Sequence, residues 1–143
     1  MTMLLFVYGT LKNGHVRNNA LDQCRYLGTA VTVPKYGMYH YGGFPAVIDQ
    51  SCPSARDGVA LTTQIQGELW EVGHDDLISL DRIEGVDSNL FNRKLIDLES
   101  STLFRLPLYK ETWSLLENKK AEAYLFMQDL RGAGQMNGFW PRR

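Results

Sequence analysis

Leu4-Leu5-Phe6-Val7-Tyr8-Gly9-Thr10-Leu11-Lys12-Asn13-Gly14 sets five apolar, β-prone residues in a row and then breaks at once into turn chemistry. A run with no polar alternation predicts a strand buried on both faces. Gly9 allows close approach of the main chain to another group, and successive N–H groups in such a turn form a concavity suited to a carboxylate, phosphate or oxyanion. The loop lacks the Lys-Ser or Lys-Thr pair that a phosphate loop requires, since His15-Val16 follows Gly14. Taken by itself the segment reads first as an ordinary strand-to-helix loop with turn residues at Asn13-Gly14.

Further strands are expected at Tyr26 to Val33, Ala46 to Ile48, Gln64 to Val72, Phe91 to Leu98 and Ala121 to Met127. Helices are expected at His15 to Cys24 and Asp75 to Glu84, with Asp75 or Asp76 suited to the second helix's N-terminus. This mixed order argues against a doubly wound sheet. Asp49 to Gly58 reads as a surface loop, and Glu99 to Lys120 as an excursion between strands. The Gly-rich tail from Arg131 to Arg143 lacks helical periodicity; it is expected either to cross the mouth of a pocket or to lie loosely ordered.

The second helix ends in an acid where physics disfavours one. A helix C-terminus carries partial negative charge, yet Glu84 stands there, directly before the terminating Gly85. Leu77, Leu80 and Glu84 also fall at i, i+3 and i+7, on one face that should point inward. A carboxyl group drawn out of water against a negative dipole end should have a raised pKa, as a general base near neutral pH requires. The plain alternative is a helix-end Glu that reaches solvent or pairs with Arg82 or Arg93.

Phe6-Val7-Tyr8-Gly9-Thr10-Leu11-Lys12-Asn13-Gly14, followed by Leu80-Asp81-Arg82-Ile83-Glu84-Gly85-Val86 and Leu90-Phe91-Asn92-Arg93, resembles the gamma-glutamylcyclotransferase-like superfamily. Within it the resemblance runs to the gamma-glutamylamine cyclotransferase and AIG2-like branch. Phe44-Pro45-Ala46-Val47-Ile48, Gln66-Gly67-Glu68-Leu69-Trp70-Glu71-Val72, Ala121-Glu122-Ala123-Tyr124-Leu125-Phe126 and Asn137-Gly138-Phe139-Trp140 extend it in the family's order. It implies a single α+β domain over residues 1–143, a small mixed-strand β-barrel with flanking short helices.

The resemblance also implies a reaction: the α-amine of a γ-glutamyl group attacks its own γ-carbonyl, closing 5-oxoproline and expelling the attached amine. Glu84 would be the catalytic base and acid, and Tyr8, Gly9, Thr10 and Leu11 would form the substrate loop, with no metal or organic cofactor. The aromatics Phe44, Phe91 and Tyr124 join Tyr8 as candidate pocket walls, although aromatics in strands are commonly plain core. The substrates so implied are small γ-glutamyl amines, such as γ-glutamyl-lysine fragments, rather than glutathione. Two positions depart from the family pattern: Phe91 stands where many members carry Tyr, and Phe139 where an acid is common.

Composition limits the alternatives. A chain of 143 residues, 44% hydrophobic and 22% charged, suits one small globular core. Net charge −1 with no basic run gives no footprint for nucleic acid. The apolar run from Met3 to Tyr8 is far too short to span a membrane and lacks a basic leader, so a cytoplasmic monomer is expected. Cys24 and Cys52 make neither a metal spacing nor a disulfide framework, and His15, His40 and His74 lie far apart. Two further readings stay open: a non-catalytic binding or interaction module on the same fold, and acyl removal from a carrier protein by the same ring closure.

Overall fold

The computed structural model describes residues 2–9, 11–12, 18–57, 61–99, 120–130 and 133–141. The N-terminal run forms β1 (Thr2–Val7), and Leu4, Leu5, Phe6 and Val7 are all buried, as their lack of alternation predicts. Then come β2 (Arg25–Val31), β3 (Gly37–Tyr41), β4 (Phe44–Ile48), β5 (Gln66–Gly73), α1 (His74–Ile83), β6 (Phe91–Asp97), β7 (Lys120–Phe126) and β8 (Gly134–Met136).

Two sheets result. The larger runs β2-β5-β1-β7-β6, and the smaller β4-β3-β8. β1 is central: antiparallel to β5 over six residue pairs and parallel to β7, with Leu5 opposite Glu122. A strand flanked on both edges and both faces has no place for a polar side chain, which is why this stretch reads as it does.

The expected barrel does not close. The outer strands β2 and β6 meet only beyond their ends, through a Thr32–Leu98 bridge, with Val33 N–H donating to Asp97 O at 3.1 Å and Glu99 N–H to Val31 O at 2.8 Å. No ladder joins them, so the sheet curls toward closure and stops. Gly67 makes one tight crossing possible: a Cβ there would lie 2.4 Å from Val7 O and 2.7 Å from the Phe6 ring.

The expected helix from His15 to Cys24 is only a 3₁₀ turn, Asn18–Leu21, among the described residues; 13–17 lie outside them. Four residues are too few to repay the cost of helix nucleation. The excursion expected between Glu99 and Lys120 likewise falls almost wholly outside. The 49–58 loop is less superficial than expected, because Cys52 and Ser54 are buried and Ser54 Oγ donates to Gln128 O at 2.9 Å. Among the described residues no helix is long and apolar enough to cross a membrane.

Among the described residues the tail does not line the cleft that holds Glu84, although Phe139 lines a separate hollow with Lys12. The tail supplies β8, which pairs with β3 from Met38–Met136 to His40–Gly134, and then buries Trp140 beside His40. Gly138 sits at φ +93°, where a Cβ would lie 2.1 Å from Gln64 O, and its carbonyl accepts Gln66 N–H at 2.8 Å. Lys12 completes the latch: its Nζ donates to Trp140 O at 2.7 Å and lies 4.3 Å from the Phe139 ring centroid. The tail thus anchors Lys12, shortly after β1.

Candidate active site

α1 starts at Gly73, whose N–H donates to the Asp76 carboxylate at 3.2 Å, so Asp76 caps from the third position of the helix. At the other end Glu84 N–H donates to Leu80 O at 2.9 Å, and Gly85 turns the chain away at φ +70°. Leu77 and Leu80 are 1% and 0% exposed, and Glu84 is 9% exposed. The inward stripe read from the sequence therefore carries an acid at its end.

Glu84 lines a cleft of about 90 Å³, whereas a single water needs only ~10–15 Å³. The elements around it converge from distant parts of the chain. Tyr8, Gly9 and Leu11 come from the end of β1 and the turn after it, Phe44 and Pro45 from β4, Leu90 and Phe91 from the entry to β6, and Tyr124 from β7. Thr10 lies outside the described residues. The other candidates, Tyr8, Gly9, Leu11, Phe44, Phe91 and Tyr124, share the cleft with Glu84. Core and wall are the same residues here: the Phe44, Phe91 and Phe126 rings stand 5.5 to 6.3 Å apart, an aromatic cluster beneath the cleft.

Gly9 has a different neighbour from the one its sequence context suggests. A Cβ on it would lie 2.8 Å from Pro45 Cγ and 3.2 Å from Cδ, so the glycine admits the close approach of β4. Lys12 N–H closes the turn on Gly9 O at 3.1 Å. Gly9→Ala should force this wall apart, lowering the melting temperature by roughly 3 to 10 °C and kcat/KM about 10-fold. An unchanged melting temperature would show that the Pro45 contact yields freely.

The two tyrosines of the cleft are held by hydroxyl bonds. Tyr8 Oη donates to Tyr124 O at 2.5 Å, and Tyr124 Oη donates to Asp81 Oδ1 at 2.6 Å. Burial, then the charge of Glu84, pushes Tyr8 well above the usual phenol range. Tyr124 is raised too, by burial first and then by its bond to Asp81, with the Glu84 charge a smaller contributor. Both hydroxyls stay protonated at neutral pH and both feel the Glu84 carboxylate. Arg93, considered from sequence as a partner for Glu84, instead grips Asp81 through Nε at 3.0 Å and Nη2 at 3.2 Å, and lies 3.7 Å from Glu122.

Sequence reasoning missed Pro45, Leu90 and Ile83 as lining, Asp81 as the hub that joins α1 to β6 and β7, and Lys12 as the anchor of the turn. Asp81 carried a usable signal: it stands three residues before Glu84, one helical turn away, beside an inward face. Among the described residues no group of three or more His, Cys, Asp or Glu side chains is placed to hold a metal ion.

Residues 5–141 match the family described as gamma-glutamyl cyclotransferase, AIG2-like. A Vibrio cholerae serotype O1 protein named "Putative gamma-glutamylcyclotransferase" is 29% identical over 115 residues, which cover 80% of this chain and 89% of that protein. Among solved structures, c4763, a uropathogenic E. coli-specific protein, superposes with a TM-score of 0.69 at 17% identity, covering 98% of this chain and 93% of that one. An AIG2-like protein of Mus musculus superposes with a TM-score of 0.59 at 16% identity, covering 89% and 77%. These likenesses carry the fold, and the family match over residues 5–141 spans both the Gly9 turn and the Glu84 helix end. The chain belongs to the AIG2-like gamma-glutamyl cyclotransferase family.

Proposed function

We propose that this protein converts a γ-glutamyl amine into 5-oxoproline and the free amine, with Glu84 as the proton carrier. The observation that supports it most is a nearly buried carboxylate at a helix C-terminus, opening into a cleft walled by the Gly9 turn and aromatic rings. The substrate's α-amine attacks its own γ-carbonyl carbon, and the new C–N bond closes a five-membered ring. Glu84 takes a proton from that nitrogen and returns one to the departing nitrogen, whose bond to carbon then breaks. No water, oxidant or cofactor enters the balance.

Because nucleophile and electrophile belong to one molecule, the protein need only fold the substrate; well-oriented intramolecular reactions gain ~7 to 11 kcal/mol in this way. A rigid wall from Phe44, Phe91 and Tyr124 suits that task. Main-chain N–H groups of the turn beginning at Gly9 are the proposed donors to the α-carboxylate or the developing oxyanion, each worth about 3 kcal/mol if it acts on the transition state. In this reading the enzyme works as a cytoplasmic monomer on a diffusible substrate.

Mass-spectrometric detection of 5-oxoproline from γ-glutamyl amines, γ-glutamyl amino acids and glutathione tests the proposal, with Glu84→Gln protein alongside. Release by wild type alone is the expected result. Silence across all three classes would overturn it in favour of a binding module.

A further inference from the structure

We infer that the leaving group is a hydrocarbon amine, an alkyl or arylalkyl group with neither a carboxylate nor a second cation. This rests on the cyclotransferase reading and narrows it to a substrate class. Glu84 is the only charged side chain among the described residues that line the cleft. Apart from the hydroxyls of Tyr8 and Tyr124, which donate to Tyr124 O and Asp81, the other described side chains of the wall offer carbon, Phe44, Pro45, Leu90, Phe91 and Ile83 among them. Ile83 is 42% exposed beside Glu84, and unlike the similarly exposed Ile78 of the same helix it lines the cleft. An exposed aliphatic side chain on the lip of a cleft gains by covering an apolar ligand.

Charge excludes the other classes in turn. Glu84 must reach the departing nitrogen, and in a γ-glutamyl amino acid a carboxylate lies two bonds from that nitrogen. Two carboxylates would then share an apolar space, with Arg93 already committed to Asp81 and Glu122. In glutathione that position is a peptide carbonyl and the carboxylate lies at the glycine end, a related defect, since both a peptide group and a charge would meet the apolar wall. The ε-amine of lysine avoids it, since its stem is hydrocarbon, but the ammonium and carboxylate at its far end must either enter the apolar wall or leave it uncovered. A benzylamine or an isobutylamine has no such group, and the aromatic cluster of Phe44, Phe91 and Phe126 backs a surface onto which a ring can pack.

The test measures one panel in two ways: γ-glutamylbenzylamide, γ-glutamylisobutylamide, ε-(γ-glutamyl)lysine and glutathione. Wild-type protein is assayed for 5-oxoproline release, and Glu84→Gln protein for binding by calorimetry. The two hydrocarbon amides should exceed the lysine compound at least roughly 10-fold in kcat/KM and glutathione at least roughly 100-fold, with the same order in binding. Equal or better use of the lysine compound overturns the inference while leaving the cyclotransferase reading intact. No turnover with the binding order preserved overturns the reaction and upholds the apolar selectivity. A flat or reversed binding order overturns the selectivity whatever the turnover. Ile83→Asn, at an exposed position, should leave the melting temperature unchanged and lower kcat/KM for the benzylamide roughly 3- to 10-fold. No change there removes Ile83 from the contact surface and with it the observation that selects this class.

Discussion

Glu84→Gln protein should release 5-oxoproline at least roughly 100-fold more slowly than wild type, with its fold intact. The substitution preserves side-chain size inside a cleft and leaves the left-handed Gly85, which terminates the helix, untouched. It even removes a stability defect. A carboxylate against the negative end of α1 costs on the order of 0.3 to 1 kcal/mol, so the variant should melt at or slightly above the wild-type temperature. That opposition is the useful part of the prediction, because a residue kept for packing would lose stability along with activity. Unchanged turnover would remove Glu84 from the mechanism. Lost turnover with a collapsed melting temperature would make it a structural residue instead.

The parts of this molecule that were legible in its sequence are those where one local rule governs. β1 reads directly because both its faces and both its edges are covered, and every residue from Leu4 to Val7 must then be apolar. α1 reads as directly: apolar spacing, acids in the first turn and a stop glycine all agree. β3 and β8 do not, since Gly37–Tyr41 opens on a glycine and carries the exposed His40, which leaves no apolar run to read. Gly134–Met136 is a strand only because β3 lies beside it. Barrel closure is a matter of whether β2 and β6 pair beyond Thr32 and Leu98, and nothing in either strand encodes that distance. The site divides in the same way. Glu84 announces itself by breaking a rule, whereas Pro45 and Lys12 obey theirs and matter through partners 36 and 128 residues distant, Gly9 and Trp140.

Asp81→Asn should lower kcat by roughly 10- to 100-fold with KM held within about 3-fold, although Asp81 lies outside the set of cleft-lining residues. Its carboxylate is the knot of a chain of bonds around the cleft. Tyr8 donates to the Tyr124 carbonyl, the Tyr124 hydroxyl donates to Asp81, and Arg93 closes on the same carboxylate with two nitrogens. Three elements, β1 through the adjoining Tyr8, β7 and β6, are thereby tied to the last turn of α1, which leads into Glu84. The amide keeps an acceptor for Tyr124 but cannot satisfy both arms of a guanidinium, which is left with Glu122 at 3.7 Å. The stability loss should be small, about 1 kcal/mol or less, because both partners are a quarter exposed and solvent screens the pair. Activity should suffer more, since a displacement of the base by about 1 Å can cost on the order of 100-fold. Arg93→Leu should produce the same kcat-selective loss, and the double variant should be no worse than either single one, as expected for two residues that act through one link. Additive losses in that cycle, or a rise in KM matching the fall in kcat, would show that Asp81 does not position Glu84.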